Sequence, residues 1–278
     1  MTTRTGGQAP RATSKLAFMR AGLEAPVAAL GRGAIGFASG FGRFGAFAAA
    51  VGRAVPSVDV WGRLLVLQMA RLGVASLPIA LFIAGFTGIV LALQASYTFT
   101  GAVPLYFVGT LVGKTMILEL GPVLTGLALA GRVGANIAAE IGTMRVTEQI
   151  DALETLAYDP VAYLVVPRIL AGVLMFPVVV AFADALGVVG GWATSINLLD
   201  LSTAEFIRGL RLFFRTFDVQ YSLIKAASFG LAVTSIGCFF GYSTKGGAEA
   251  VGWATTQAVV VASMLILVLD AFWAIALL

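Results

Sequence analysis

A carboxylate and an amine interrupt two of the apolar stretches of this sequence. Glu119 lies near the middle of one stretch and Lys225 near the start of another. A charge inside an apolar helix is costly unless it is paired or hydrated. Lys114 is a poor partner for Glu119, because it lies roughly 140° away around the same helix. We therefore expect Glu119 and Lys225 to pair between two helices; protonation of Glu119, or water at each charge, are the alternatives.

Other reactive residue types are sparse. Asp184 and Asp270 are the remaining acids in apolar stretches, and a proton relay would need more such groups. The chain has no histidine, which is the commonest metal ligand and a frequent general base. Its single cysteine, Cys238, has apolar neighbours and is expected to pack between helices. The string GTLVGKT at 109–115 is one residue short of a phosphate-binding loop. No catalytic residue, metal site or ATP site is therefore predicted.

A compact acidic segment separates two of the apolar stretches. Between Glu140 and Asp159, five acidic residues oppose one basic residue, Arg145. One side of the segment carries apolar residues at helical spacing and another side carries acids: Val146, Ile150, Leu153 and Ala157 against Glu148, Asp151 and Glu154. The pattern predicts a cytoplasmic amphipathic helix within about residues 138–159. Such a helix could seat its apolar side in a groove of a cytoplasmic motor, or it could be an ordinary solvated loop helix.

The elements that position these residues are predicted to be membrane-spanning helices. Hydrophobic residues make up 59% of the 278 positions and charged residues 12%, whereas soluble domains carry about a quarter charged residues. The stretch from Leu72 to Gly113 has no charged residue and is long enough for two passes of ~20 residues. The predicted fold is an all-α integral membrane protein, in which an N-terminal interfacial amphipathic helix precedes five transmembrane helices. We place those spans at about 72–98, 105–130, 161–199, 221–242 and 251–278.

The charge distribution predicts the orientation. Nine of the eighteen Lys and Arg residues lie in the first 71 positions, which indicates a cytoplasmic N-terminus and, with five spans, an external C-terminus. Residues 1–14 are predicted to be a disordered cytoplasmic tail. Residues 15–60 are predicted to be an interfacial helical region, with a short soluble surface helix as the alternative. Nucleic-acid binding is not expected, because the basic residues lead into the membrane domain. Arg208, Arg211 and Arg215 fall outside in this topology, against the positive-inside rule.

Several sequence motifs resemble one known family. The longest is EIGTMRVTEQIDALETLAYDPVAYLVVPR at 140–168, and ELGPVLTGLALAGRVGA at 119–135 is the next. Shorter pieces are GIVLALQ at 88–94, LIK at 223–225, and ATTQAVV followed by LD between 254 and 270. Together they resemble the MlaE/YrbE permease family of lipid ABC transporters, over about residue 72 to the C-terminus. Residues 61–278 are therefore expected to be the permease domain.

The resemblance implies partners and residue roles. The implied assembly is a homodimer with a cytoplasmic ABC ATPase, an external MCE-domain lipid-tunnel protein and, in addition, a small ATPase-associated subunit. This chain would carry no cofactor, while ATP and Mg²⁺ would bind the ATPase. Glu119, Lys225 and Asp270 match intramembrane positions of the family. The lipid pathway would include Leu91, Gln94 and Phe99, unless these only pack between helices. The coupling helix to the ATPase would include Glu140, Arg145, Glu148, Gln149, Asp151, Leu153 and Glu154.

The expected function is transport of phospholipid or a related lipid between membranes, which maintains outer-membrane lipid asymmetry, by a subunit that is not itself an enzyme. Two rivals remain from the residues. An ion-coupled secondary transporter of a hydrophobic substrate could use Glu119, Lys225 and Asp270, and a non-transporting membrane scaffold could use the acidic segment only for binding. The expected location is the bacterial inner membrane, with a plastid envelope as the alternative. Lipid identity and the direction of transport stay open.

Overall fold

A computed structural model of the chain describes residues 38–99 and 103–277. Every regular element within these ranges is a helix. Five helical stretches are long and apolar enough to cross a membrane: Val58–Thr98, Phe107–Val146, Val161–Leu198, Thr216–Tyr242 and Ala248–Leu277. The chain is therefore a multi-pass, all-α membrane protein, and the predicted fold class is confirmed.

The region before the first span is helical as far as it is described. The chain divides into two units, Met1–Ala50 and Val51–Leu278. In the first unit residues 38–50 are helical, and the rings of Phe44 and Phe47 lie 6.4 Å apart. The expected tail at 1–14 and most of the expected interfacial region lie outside the described residues. The expected division at residue 60 falls within a helix, because the next helix already begins at Val58.

The first two spans are built from several helical segments. We number the helices in chain order, with the helix at residues 38–54 as α1. The first span contains α2 (Val58–Leu72), a short 3₁₀ turn (Val74–Ser76) and α3 (Leu77–Thr98). The second contains α4 (Phe107–Thr115), the π-helical segment π1 (Met116–Leu120), α5 (Gly121–Leu129), π2 (Ala130–Gly134) and α6 (Ala135–Val146).

The other three spans are more regular. The third consists of π3 (Val161–Val165) and α8 (Val166–Leu198), the fourth is α10 (Thr216–Tyr242), and the fifth is α11 (Ala248–Leu277). Two short helices connect spans: α7 (Gln149–Thr155) follows the second span and α9 (Thr203–Leu212) follows the third. Because one span separates them, α7 and α9 lie on opposite sides of the membrane.

The second span runs well past its expected end at Ala130. Arg132 suggested that end, because a guanidinium group is costly in the apolar layer. In the structure the Arg132 side chain donates a hydrogen bond to the carbonyl oxygen of Ala75 in the first span. A neighbouring helix thus provides an acceptor for the charged group, and the helix continues to Val146.

Small residues allow the spans to approach closely. Gly88 of α3 faces Gly187 of α8, and Gly172 of α8 faces Gly230 of α10; in each pair a Cβ on one glycine would overlap the backbone of the other. Membrane helices commonly associate through such small-residue contacts. α10 is the most buried of the five spans and packs against α6, α8 and α11. Its side chains are therefore the ones that meet several helices at once.

We expect Gly88→Ala to destabilise the protein by about 1–3 kcal/mol, since the added methyl group must separate α3 from α8. Gly131→Ala is the matched control, because a Cβ at Gly131 meets no atom within 4 Å. The measurement is thermal unfolding of the detergent-solubilised variants, monitored as the loss of the monodisperse peak in size-exclusion chromatography. Equal behaviour of the two variants would contradict the close α3–α8 contact.

Candidate functional site

Three helices place an ion cluster inside the membrane domain. Lys225 of α10 points its Nζ atom at Glu119 of π1, with 2.8 Å to Glu119 Oε2. The same Nζ atom forms an ion pair with Asp270 of α11. The structure thus brings together the three charged residues that the sequence placed in different spans, and the amine bridges both carboxylates.

Local sequence explains part of this geometry. Pro122 has no backbone N–H, so the carbonyl oxygen of Leu118 lacks its usual helical donor four residues later. Lys225 Nζ donates to that oxygen at 3.0 Å. The Gly-Pro pair that begins α5 therefore provides a backbone acceptor at the place where the lysine needs one. The site depends on the ELGP sequence as well as on the carboxylate.

Hydrogen bonds on the other side of Lys225 extend the cluster. Trp273 Nε1 donates to Ser228 Oγ at 2.8 Å, and Ser228 Oγ donates to the carbonyl oxygen of Lys225 at 2.7 Å. The ring centroid of Tyr221 lies 5.1 Å from Lys225 Nζ. α10 and α11 are thus joined by polar contacts next to the ion cluster.

The three side chains of the cluster differ in exposure. Lys225 is 0% exposed, whereas Asp270 is 23% and Glu119 is 41% exposed. Ionisable residues at membrane depth usually face the protein interior or a water-filled cavity. The open side of Glu119 therefore marks a surface that water or another protein must cover.

A polar stripe on α10 leads to the cluster, and sequence reasoning did not detect it. Asp218 Oδ2 lies 2.7 Å from Lys114 Nζ, so the lysine that cannot reach Glu119 has a partner on another helix. Ser222 Oγ donates to Asp184 Oδ2 at 3.0 Å. The detectable signal was the spacing of Asp218, Ser222 and Lys225, which share one face of a helix.

Two of the three expected lipid-pathway residues line a common cavity. Leu91 and Gln94 of α3 lie with Leu120 of π1 around a cavity of about 280 Å³. Leu120 follows Glu119 in π1, although Glu119 itself does not line this cavity. Phe99 does not line the cavity; it packs on the buried cluster that α3, α4, α8 and α9 share.

The acidic segment is not one continuous helix: within about residues 138–159, where a cytoplasmic helix was expected, the structure has the end of α6 and the short, separate α7. α6 ends at Val146, and the seven-residue α7 begins after Glu148, whose φ of 59° is left-handed. Ala157 follows α7 with φ 60°. Left-handed backbone strains non-glycine residues and breaks the helix. The continuous apolar side expected from the spacing therefore does not form, although Ile150 of α7 is fully buried.

Ion pairs connect this segment to the spans. Arg145 Nη1 of α6 lies 2.6 Å from Asp151 Oδ1 of α7. Glu140 Oε2 lies 3.0 Å from Arg168 Nη2 of α8, and Glu140 Oε1 lies 3.8 Å from Arg71 Nη1 of α2. Glu140 thus joins three helices within the membrane domain. The residues of α7 that were expected to contact the ATPase differ in exposure: Leu153 is half-buried, whereas Gln149, Asp151 and Glu154 are exposed. Glu148, directly before the helix, is also exposed.

The most exposed apolar residues of the segment were not selected from the sequence. Leu156 is 68% and Tyr158 is 53% exposed. Both residues follow the end of α7, so they do not belong to the helical pattern from which the apolar side was predicted. Together with the acidic residues of α7 they form a mixed apolar and acidic surface.

Comparisons with known proteins agree on one family. The family described as Permease MlaE matches residues 65–276. The chain is 41% identical to a probable ABC transporter permease protein of Rickettsia conorii over 239 residues, which cover 86% of this chain and 92% of that protein. It is 37% identical to the intermembrane phospholipid transport system permease protein MlaE of Haemophilus influenzae over 247 residues, which cover 88% and 94% of the two chains. A probable ABC transporter permease protein of Synechocystis is 41% identical over 205 residues, or 74% and 78% of the chains.

Proposed function

This chain belongs to the MlaE permease family, and we propose from that premise that it is the membrane subunit of an ABC transporter that moves phospholipid or a related lipid. The observation that carries the proposal is the similarity to the Haemophilus influenzae phospholipid permease over nearly the whole length of both chains. The largely apolar surroundings of Leu91 suit acyl chains, since a sugar or amino-acid site needs many directional hydrogen bonds.

Energy comes from a separate cytoplasmic ATPase, which binds ATP and Mg²⁺. The mixed surface of α7, Leu156 and Tyr158 docks on it, because an exposed apolar pair beside acidic residues is suited to binding a protein groove. The Arg145–Asp151 pair links α7 to α6, and α6 is continuous with π1 through α5 and π2. A push on α7 is therefore transmitted along one span to Glu119 and to Leu120, which lines the cavity.

The transport unit is a homodimer. Glu119 is 41% exposed at membrane depth, and Leu91 and Gln94 line a cavity with Leu120, the next residue of π1. A second copy would cover this surface and enclose a lipid site between the two chains. An MCE-domain protein receives or delivers lipid outside, and a small ATPase-associated subunit completes the assembly.

The location is the bacterial inner membrane. With five spans the N-terminus is cytoplasmic and the C-terminus periplasmic, so that α7 faces the cytoplasm and α9 the periplasm. The basic N-terminal region supports this orientation.

The ion cluster also fits a second candidate function. Glu119, Lys225 and Asp270 are the kind of groups that an ion-coupled secondary transporter of hydrophobic substrates would use. Such a transporter would move lipid in vesicles that contain this chain and an ion gradient but no ATPase.

The test is affinity purification of the detergent-solubilised chain from its native membrane, followed by identification of the subunits and extraction of bound lipid. We expect an ATPase, an MCE-domain protein and phospholipid. Reconstitution of that complex should give lipid transfer to acceptor vesicles only with hydrolysable ATP. Isolation of the chain without an ATPase, together with gradient-driven lipid movement, would replace the proposal with the secondary transporter.

A further inference from the structure

Three arginines lie on the side of the membrane opposite to α7. Arg208 and Arg211 belong to α9, and Arg215 precedes α10. This side carries few other basic residues, whereas the positive-inside rule puts the excess of Lys and Arg on the other side. The ATPase surface on α7 cannot account for the three arginines, so they need a separate explanation.

α9 packs tightly against α4, the helix with which the second span begins. Ser202 caps the helix, and the Glu205 carboxylate accepts a hydrogen bond from the Ser202 backbone N–H. The hydrogen bonds from Ser202 hold the pKa of Glu205 below its ordinary value. A Cβ on Gly209 would overlap the Tyr106 carbonyl group, and Thr110 Oγ1 donates to the Gly209 carbonyl oxygen at 2.5 Å. α9 therefore lies against the first turns of α4, at the membrane surface.

A cavity of about 470 Å³ lies between α9 and the spans, within the range of about 300–1,000 Å³ typical of ligand sites. We name it the α9 cavity. Its lining is almost wholly apolar and includes Ala181, Ala185 and Val188 of α8, Leu210 of α9, Phe214, and Leu223 of α10. Asp184 also lines it, but this residue is only 8% exposed and accepts a hydrogen bond from Ser222.

Arg211 supplies the positive charge at this cavity. It lines the α9 cavity, its side chain is exposed, and it forms no salt bridge within the described residues. The other two arginines differ. Arg208 lies over the Tyr106 ring, with 5.2 Å from Cζ to the centroid. Arg215 lines a neighbouring, more polar cavity of about 470 Å³ with Lys114, and Phe214 borders both cavities.

We propose that the α9 cavity binds one phosphate-bearing lipid from the leaflet on the α9 side, with an acyl chain against α8 and α10 and the phosphate at Arg211. A guanidinium group binds phosphate with paired hydrogen bonds. The small residues of α8 leave room for a flexible chain, and Arg215 adds positive charge close by. An anionic headgroup is therefore preferred. This proposal requires only that the chain lies in a membrane. It does not depend on whether the chain transports lipid.

The test is native mass spectrometry of the full chain, purified with its accompanying subunits, during titration with dimyristoyl phosphatidylglycerol or dimyristoylglycerol. We expect Arg211→Gln to weaken phosphatidylglycerol binding about tenfold, the effect of losing a charge-assisted contact, and to leave dimyristoylglycerol binding unchanged. Ala185→Phe should weaken binding of both lipids, because it fills the cavity. Arg208→Gln is the matched control and should bind both lipids like the wild type.

Four results would overturn the proposal. The first is equal phosphatidylglycerol binding by Arg211→Gln and the wild type, and the second is an equal loss with Arg208→Gln. The third is full competition by glycerol 3-phosphate, which would assign the site to a free phosphate instead of a lipid. If the assembled complex excludes lipid here and the isolated chain binds it, a partner's helix occupies the α9 cavity and the lipid assignment is wrong.

Discussion

Lys225→Met should be one of the most damaging single changes in this chain. The substitution removes the amine between Glu119 and Asp270 and leaves two carboxylates in the membrane domain without their partner. Because Glu119 and Asp270 are partly exposed, we expect the loss of their buried partner to cost about 1–3 kcal/mol, less than for a fully buried pair. We expect a clearly lower temperature of thermal unfolding in detergent, together with loss of lipid transfer in reconstituted vesicles.

A neutral form of the cluster separates charge from packing. The triple variant Glu119→Gln, Lys225→Met, Asp270→Asn removes every charge, so it should unfold near the wild-type temperature and still fail to transport. Lys245→Met is the control for loss of a lysine, since Lys245 is exposed in the loop between α10 and α11. If Lys225→Met unfolds like the wild type, the carboxylates are neutral or hydrated and the ion cluster does not stabilise the fold.

Leu156→Asp should release the ATPase. Leu156 is 68% exposed, so the change leaves the fold intact, but it places a charge at the centre of the proposed docking surface. We expect ATPase retention during affinity purification to fall about tenfold or more, as for a central interface residue. Thermal unfolding of the purified chain should not change.

Two comparisons make this result specific. Leu105→Asp makes the same change at an exposed leucine on the opposite side of the membrane, and it should retain the ATPase. Glu154→Lys, on α7 itself, measures how much the acidic residues contribute. Retention of the ATPase by Leu156→Asp and its loss with Leu105→Asp would place the docking surface on the other face.

Sequence alone was sufficient for the number of spans and for the hypothesis that Glu119 pairs with Lys225. Long uncharged stretches have one physical explanation, and an isolated Glu119 demands a partner because burial of an unpaired charge is costly. The same rule could have found the partner of Lys114. That partner lies on a different helix, since Asp218 reaches Lys114 from α10.

The broken acidic segment could not be predicted in the same way. Its spacing fits a continuous helix, and nothing in the local sequence requires Glu148 and Ala157 to be left-handed. Tertiary contacts decide the outcome, since Ile150 is buried and Arg145 pairs with Asp151 across the break. At π1 the local sequence and a neighbour act together, since Pro122 leaves the Leu118 carbonyl without its helical donor and Lys225 of α10 donates to that oxygen.

The hydrogen bond from Trp273 to Ser228 makes the ion cluster observable by fluorescence. The chain has four tryptophans. Within the described residues, Trp273 is the one whose indole N–H donates to Ser228, and the Ser228 hydroxyl in turn donates to the Lys225 carbonyl oxygen. With Trp61, Trp192 and Trp253 replaced by phenylalanine, the emission wavelength would report on the polarity beside Lys225. Water that entered the cluster during a transport cycle would shift this emission to the red in real time.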